Sequence, residues 1–250
     1  MRETELQRLG AQAIRMVRDV HKWTRTLIQD QVDSKGTRMI FEQIENGGDR
    51  NFGYLVADEE TRKAAAVDPS YRPEYYIRRA GELDVELTCI ICTHSHHDHV
   101  NGNDHLIEEL GLDVVMYRDA EYFYDIEVKD GEIFRLGELE LAVIHTPGHC
   151  EDGMCLLAED KLITGDTLFV GKVGGTATEE EARKEFDSLR RLMELDDGIG
   201  VYPGHDFGVK PTSTIGYERN NNPFILQPTF ADFLHLKENW LAYKERHNIP

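Results

Sequence analysis

The stretch ELTCIICTHSHHDHVNGN, residues 86–103, carries the strongest signal in the sequence. Its first half is short, apolar and rich in β-branched residues, which predicts a buried strand. A turn must follow, because a continuing strand would send alternate side chains to opposite faces of its sheet. An ordinary polar turn seldom concentrates imidazoles, so we interpret this turn as part of a metal site. Its potential ligands are His94, His96, Asp98 and His99.

Three later motifs repeat this arrangement of an apolar strand and a polar side chain in a glycine-containing turn. They are HTPGHC with His149, LITGDTLF with Asp166, and VYPGHDFG with His205. Side chains at strand ends can converge at one edge of a sheet, whatever their separation in sequence. The sequence therefore predicts a single site of imidazole and carboxylate ligands, which suit zinc, iron, manganese or nickel.

Strand-like and helical runs alternate through much of the chain, which predicts an α/β fold with sheets inside and helices outside. The runs FGYLVA and KAAAVDP are typical of a hairpin around the turn DEET. Helices are predicted over residues 73–82 and over EEEARKEFDSLRRLMEL, residues 179–195. The tail ADFLHLKENWLAYKERHNIP, residues 231–250, predicts a single amphipathic helix.

Residues 1–36 differ from the rest, because their apolar positions follow alternating three- and four-residue steps. We therefore divide the chain into an N-terminal helical extension, residues 1–36, and a catalytic domain, residues 37–250. The extension either packs on its own domain or joins subunits, and its spacing fits both. We expect a homo-oligomer, with a dimer favoured by symmetry. The apolar positions are Leu6, Leu9, Ala13, Met16, Val20, Trp23 and Leu27.

Charge and composition restrict the function. The chain has 47 acidic and 28 basic residues and a formal net charge of −19, which repels phosphate backbones and anionic lipid headgroups. We therefore expect a small-molecule substrate and no nucleic-acid or membrane partner. The longest uncharged apolar run, residues 87–93, is far shorter than a membrane span. Four cysteines in apolar or site-flanking stretches, with no secretory signal, predict a cytoplasmic protein that needs no disulfides.

The set HSHHDH, HTPGH, TGDT and PGHD resembles the metallo-β-lactamase superfamily, in the family's order, over roughly residues 38–225. The resemblance implies a four-layer αβ/βα sandwich of two sheets. The motifs, with PTSTIGYERNNNPFI at 211–225, are similar to those of glyoxalase II-like thioesterases and of persulfide dioxygenases. Asp166 stands where many β-lactamases of the superfamily have cysteine, and His96 where flavodiiron oxygen reductases have glutamate, which disfavours both activities.

Carried over residue by residue, the resemblance implies two divalent metal ions, zinc first, with iron or manganese as alternatives. Asp166 would bridge them, and open coordination positions would hold a bridging hydroxide that attacks the substrate. Asp98 and Asp166 are the carboxylates we expect to take part in catalysis. Asp68 either orients a ligand or is a plain turn aspartate, and His97 would point away. One ion would be held by His94, His96 and His149, and the other by Asp98, His99 and His205.

The expected activity is metal-dependent hydrolysis of a thioester or related small acyl substrate, as in hydroxyacylglutathione hydrolases. The alternative is a mononuclear iron persulfide dioxygenase, with iron on His94, His149 and Asp166. A third hypothesis is a non-catalytic binding module that uses the N-terminal helix. In the two related families, a glycine-rich stretch followed by a basic residue receives glutathione. The corresponding stretch in this sequence is GKVGGTATE, residues 171–179. Its lysine, Lys172, comes a few positions earlier than the family's basic residue. Glutathione is therefore left open as part of the substrate.

Overall fold

The computed structural model describes residues 39–247 and residue 249. The helical extension predicted for residues 1–36 lies outside these residues. The strands are β1 (Met39–Gly47), β2 (Asn51–Asp58), β3 (Lys63–Val67), β4 (Glu86–Ile91), β5 (Asp113–Tyr117), β6 (Ile126–Val128), β7 (Ile133–Leu136), β8 (Leu139–His145), β9 (Met154–Ala158), β10 (Lys161–Gly165), β11 (Leu168–Phe169), β12 (Lys172–Val173), β13 (Gly200–Pro203) and β14 (Ser213–Thr214). The helices are α1 (Pro73–Leu83), α2 (His97–Val100), α3 (Asn103–Leu110), α4 (Glu179–Leu192), α5 (Ile215–Asn221), α6 (Phe230–Glu238) and α7 (Trp240–His247).

The strands form two six-stranded sheets and one small ribbon. The first sheet has the order β1-β2-β3-β4-β5-β6, in which the first three strands are antiparallel and β3 to β6 are parallel. The second sheet has the order β14-β13-β10-β9-β8-β7, in which the β10 and β13 pair is parallel and the other pairs are antiparallel. Strands β11 and β12 pair as a separate antiparallel ribbon.

Hydrophobic clusters show that the two sheets are stacked and that helices cover their outer faces. The middle cluster joins residues of both sheets, such as Val56 from β2 and Leu141 from β8. The outer face of the first sheet packs on Tyr76 of α1 and Leu106 of α3. The outer face of the second sheet packs on Leu189 of α4. These four layers confirm the αβ/βα fold. Within the described ranges, no helix combines the length and apolar character that crossing a membrane requires.

Most of the predicted elements are present near their predicted bounds. Strands β2 and β3 pair as the predicted hairpin, and α1 covers the predicted helix with one further residue. Helix α4 begins after Thr178, whose side chain accepts a hydrogen bond from the Glu181 backbone N–H in a capping box. Strands β6 and β7 were not predicted, because runs of three and four residues show too little periodicity.

The prediction of a single C-terminal helix is wrong. The tail forms α6 and α7, which are separated by Asn239 at φ −113° and ψ 20°. The Asn239 side chain donates a hydrogen bond to the carbonyl oxygen of His235 at 2.8 Å and so satisfies the end of α6. Trp240 then packs on Phe224, with ring centroids 4.8 Å apart. The tail turns at Asn239 because this apolar contact keeps α7 on the domain.

Candidate metal centre

The candidate ligands lie in turns at the ends of four strands. The turn after β4, in the first sheet, carries the cluster 94–99, and its second half forms α2. Strands β8, β10 and β13 of the second sheet run in the same direction, because β9 is antiparallel to β8 and β10 while β13 is parallel to β10. The turns that follow these three strands carry His149, Asp166 and His205. Stacking of the two sheets therefore brings all four turns together.

Three imidazoles meet at one end of the centre. His94 Nε2 and His149 Nε2 each lie 3.0 Å from His96 Nδ1. One nitrogen of each ring lies within 4.8 Å of the other two, which is close enough for a shared metal ion. The structure thus places together the three residues predicted to hold the first ion.

The residues predicted for the second ion meet at the other end. His205 Nε2 lies 3.4 Å from Asp98 Oδ2 and 3.3 Å from His99 Nε2. His99 Nε2 and Asp98 Oδ2 are 3.8 Å apart, so the three side chains form a second candidate metal group. Because His99 and His205 are 106 positions apart in sequence, only the fold brings this group together.

Asp166 lies between the two ends. Its Oδ1 is 3.3 Å from His99 Nε2, and its Oδ2 is 3.3 Å from His205 Nε2 and 3.6 Å from His149 Nε2. With His94 and His99 it forms a third candidate group, which takes one histidine from each end. Asp166 Oδ1 is buried and has no hydrogen-bond partner among the described residues. A buried carboxylate oxygen of this kind is costly unless a cation compensates it.

Neighbouring groups fix the orientation of four of the five histidines. A carbonyl or carboxylate oxygen can only accept, and the Thr93 hydroxyl donates its own proton to Asp68 Oδ2 at 2.7 Å. Each histidine therefore carries a proton on Nδ1 and leaves Nε2 free to bind a metal. The Nδ1–H donors and their acceptors are His94 to Thr93 Oγ1 at 3.1 Å, His99 to Asp68 Oδ2 at 3.0 Å, His149 to the Gly175 carbonyl at 2.8 Å and His205 to the Asp49 carbonyl at 2.9 Å.

These contacts show that the residues fit divalent metal ions. With Nδ1 protonated, His94 Nε2 and His149 Nε2 are both acceptors, and both face the same nitrogen of His96. One proton on His96 cannot serve two acceptors, whereas a cation among the three lone pairs compensates all of them. The unpartnered oxygen of Asp166 needs the same compensation.

A family model for the metallo-β-lactamase superfamily matches residues 47–205, a range that contains all of the candidate ligands. The chain belongs to the metallo-β-lactamase superfamily. Asp68, the Asp49 carbonyl and the Gly175 carbonyl lie in the same range. The matched region therefore includes both the candidate ligands and the groups that orient them.

Two relatives that are named as hydrolases and one solved structure are similar to this chain. The probable polyketide biosynthesis zinc-dependent hydrolase BaeB of Bacillus velezensis is 34% identical over 79% of this chain and 88% of the relative. A hydroxyacylglutathione hydrolase of Francisella tularensis subsp. novicida is 35% identical over 65% of this chain and 65% of the relative. The crystal structure of ETHE1 from Myxococcus xanthus has a TM-score of 0.76 and 33% identity, and the match covers 80% of this chain and 91% of that one.

The carboxylates of this superfamily member raise the proton affinity of one end of the centre. Burial lowers the pKa of His94 well below its ordinary value. Burial acts in the same direction on His99, but the charges of Asp166 and Asp68 outweigh it and raise the pKa of His99. At His205, burial is outweighed by hydrogen bonds to carboxylates, which raise its pKa to about 9. Protons and cations therefore compete for the His99 and His205 end.

Asn51, at the start of β2, is a residue of the centre that sequence reasoning missed. Its Nδ2 donates hydrogen bonds to Asp98 Oδ2 at 3.0 Å and to the Asp98 carbonyl at 3.1 Å. The same atom lies 3.4 Å from His205 Nε2. The Asn51 amide therefore holds the Asp98 carboxylate beside His205. Asn51 follows GGDR, and an asparagine is common in such a turn between two strands. The sequence therefore gives no indication of its contact with Asp98.

The candidate metal centre is open on one side. The Asp98 side chain is 34% exposed, whereas that of Asp166 is 10% exposed. His96 is exposed as well, while His99 lies in the interior. Asp98 and His96 therefore form the solvent-accessible side of the candidate centre. His97 is exposed and outside the candidate groups, in agreement with its predicted direction.

Lys172 lies nearer to the centre than its position in the sequence indicates. Its Nζ is 5.9 Å from the centroid of the Phe207 ring. Phe207 in turn stacks on His205, with ring centroids 4.5 Å apart and an interplanar angle of 12°. One aromatic ring therefore separates the Lys172 ammonium from a candidate ligand.

Proposed function

We propose that this protein is a metal-dependent hydrolase that cleaves a thioester or a related small acyl substrate with two bound metal ions. The observation that carries the proposal is the joining of two three-ligand groups through Asp166. Zinc is our first expectation, and iron and manganese are alternatives, because imidazole and carboxylate ligands suit all three. The proposed ligands are His94, His96 and His149 for one ion and Asp98, His99 and His205 for the other.

The protein's own residues would direct the reaction. Divalent ions held at this centre supply Lewis-acid polarisation of an acyl carbonyl and lower the pKa of water. A hydrogen bond with His205 holds the pKa of Asp98 well below its ordinary value, so Asp98 stays ionised at neutral pH. Asn51 fixes this carboxylate at the open side, where it can accept a hydrogen bond from an attacking water. Asp166 is buried, and its carboxylate lies between the two ends of the centre, beside His99, His205 and His149.

The comparisons support hydrolysis of an acyl compound. BaeB is named as a zinc-dependent hydrolase, and the Francisella relative is named as a hydrolase of hydroxyacylglutathione. The second name is that of a thioester hydrolase, which is why we place a thioester first among the substrates of this chain. The candidate centre offers the open, partly exposed coordination side that a catalytic metal site requires.

Metal content and hydrolysis together test this proposal. Purified protein should contain about two zinc, iron or manganese ions per chain and should hydrolyse an acyl thioester. Asp98→Ala should lose one ion and most of the hydrolysis, because it removes the carboxylate from the Asp98, His99 and His205 group. His97→Ala is the matched control, since the neighbouring His97 is exposed and should keep both ions. If the wild-type protein binds a single ion per chain and Asp98→Ala binds the same amount, the proposal is wrong.

The second candidate function is that of a mononuclear iron persulfide dioxygenase. The similarity to ETHE1 in sequence and fold fits this alternative as well as it fits the hydrolase. His94, His149 and Asp166 would then supply two imidazoles and one carboxylate to iron. Iron-loaded protein should consume oxygen when incubated with glutathione persulfide. If no oxygen is consumed while a thioester is hydrolysed, the hydrolase is correct and the dioxygenase is excluded.

A further inference from the structure

A buried ion pair links the C-terminal tail to the helix that lies behind the metal centre. The Lys237 ammonium, on α6, contacts Glu185 Oε2, on α4. The Lys237 side chain is 12% exposed and that of Glu185 is 1% exposed. Glu185 Oε1 has no hydrogen-bond partner among the described residues. A buried carboxylate with so few donors depends on its one cation, so Lys237 has little freedom to leave.

The same ammonium also holds the glycine-rich stretch between β12 and α4. Lys237 Nζ donates a hydrogen bond to the Gly174 carbonyl at 2.8 Å. The next residue, Gly175, accepts the Nδ1–H of His149 through its own carbonyl, also at 2.8 Å. The backbone of Gly174 and Gly175 therefore connects Lys237 with His149, a candidate ligand of the first ion.

Close packing leaves Gly174, the residue that Lys237 holds, little room to move. A Cβ atom on Gly174 would lie 2.2 Å from the Asp166 carbonyl oxygen and 2.9 Å from His149 Cβ. Glycine is therefore required here, because the backbone touches Asp166 and His149, two residues of the candidate centre. Without the Lys237 contact, the Gly174 carbonyl would lose a donor in a buried position, and the stretch would have to shift to find another.

We propose that Lys237 and Glu185 are positioning residues that keep His149 oriented for metal binding, so that the C-terminal helix α6 determines the affinity of the His94, His96 and His149 end of the centre. The inference rests on the proposed role of His149 as a ligand. Hydrogen bonds to the second nitrogen of a metal-bound histidine fix its tautomer and ring direction, and losing one typically weakens metal affinity about 10- to 100-fold. Lys237 acts one step further out, through the backbone that accepts this hydrogen bond.

Chelator competition on zinc-loaded protein tests the inference without reference to activity. Lys237→Met should weaken one of two bound ions about 10- to 100-fold and leave the other unchanged. Lys237→Arg keeps a cationic donor and should restore most of the affinity. Lys129→Met is the matched control, because Lys129 pairs with Glu127 on the surface at 2.8 Å and should change neither ion.

A double variant separates positioning from folding. Lys237→Met alone leaves Glu185 buried without its cation and could unfold the protein, whereas Glu185→Leu with Lys237→Met replaces the pair by apolar groups, which proteins usually tolerate. This double variant still has no donor for the Gly174 carbonyl, so it should fold and should show the same selective loss of one ion. In proton NMR of the zinc-loaded protein, the imidazole N–H signal of His149 should also broaden or disappear in the double variant.

The outcomes are distinct from those that test the proposed function. If wild-type protein binds two ions and the double variant binds both with unchanged affinity and an unchanged His149 N–H signal, the positioning inference is wrong and the hydrolase proposal stands. If wild-type protein binds fewer than two ions per chain, the proposed function is wrong, whatever the Lys237 variants show. Equal weakening of both ions would also overturn the inference, because Lys237 contacts the stretch at one end only.

Discussion

Asp68 Oδ2 accepts the Nδ1–H of His99 at 3.0 Å, and both side chains are only 1% exposed. The same carboxylate accepts hydrogen bonds from the backbone N–H and the hydroxyl of Thr93, each at 2.7 Å. Asp68 adopts a left-handed backbone conformation, with φ 46°. A buried carboxylate surrounded by three donors thus lies directly behind a candidate ligand, which is far more than a plain turn aspartate requires.

Replacing Asp68 should weaken the metal ion held at the His99 end. Asp68→Asn turns one acceptor oxygen into an amide, which must face a donor from either Thr93 or His99. We expect affinity for that ion to fall about 10- to 100-fold, as measured by chelator competition. Asp119→Asn is the control, because Asp119 also has a left-handed backbone, with φ 70°. Equal affinities in the two variants would show that the Asp68 contact does not orient His99.

Gly204 lies against the Asp166 carboxylate and the His99 imidazole of the candidate centre. A Cβ atom at this position would be 2.3 Å from Asp166 Oδ1 and 2.9 Å from His99 Cε1. Gly204→Ala should therefore displace Asp166 and lower the metal content below two ions per chain. Gly198→Ala is a matched control, because a Cβ atom there meets no atom within 4 Å. Elemental analysis measures the metal content of the two variants. Two ions per chain in Gly204→Ala would contradict the expectation.

The free energy of unfolding should depend on pH through Glu185. Burial raises the pKa of Glu185 from 4.5 to about 7, although Lys237 opposes the shift. Since the pKa is higher in the folded state, the stabilising contribution is complete below pH 4.5 and is lost as the pH rises through 7. Glu185→Gln should remove this loss, which we expect to be on the order of 3 kcal/mol.

Chemical denaturation at several pH values between 4 and 8 measures this effect. The comparison is the change in unfolding free energy with pH, for wild type against Glu185→Gln. Glu179→Gln, at the exposed start of the same helix, should retain the pH dependence of the wild type. A pH dependence that is the same in all three proteins would show that Glu185 keeps one protonation state throughout.

The predicted N-terminal helix, residues 1–36, is tested by light scattering. We expect the protein to be a homodimer at micromolar concentration. If residues 1–36 join the subunits, a chain that starts at Thr37 should lose mass per particle by more than the removed residues, because the dimer separates. If they pack on their own domain, the truncated chain should be less stable but should keep the same number of subunits. A monomeric full-length protein would refute the dimer, and a truncated dimer would assign the contact to the domain.

Local chemistry in the sequence was enough to predict the fold class and the position of the candidate centre. The strand before His94 and the turn that follows are neighbours in sequence, so apolar periodicity and ligand spacing are visible together. The hairpin of β2 and β3 and the helix α1 were predicted for the same reason. The superfamily and its two-sheet fold follow from four such motifs in order, and the structure and the family match confirm both.

The tertiary structure decided the contacts that join distant parts of the chain. Asn51 bonds to Asp98 across 47 positions, and Lys237 bonds to Gly174 across 63. Neither residue stands in a motif, because a hydrogen bond between separate elements depends on how the sheets and helices pack and not on neighbouring residues. The break at Asn239 is of the same kind, since the apolar spacing of the tail fits one helix or two and the contact between Trp240 and Phe224 selects two. The sequence therefore determined which side chains could bind metal, and packing of the layers determined which groups hold those side chains in place.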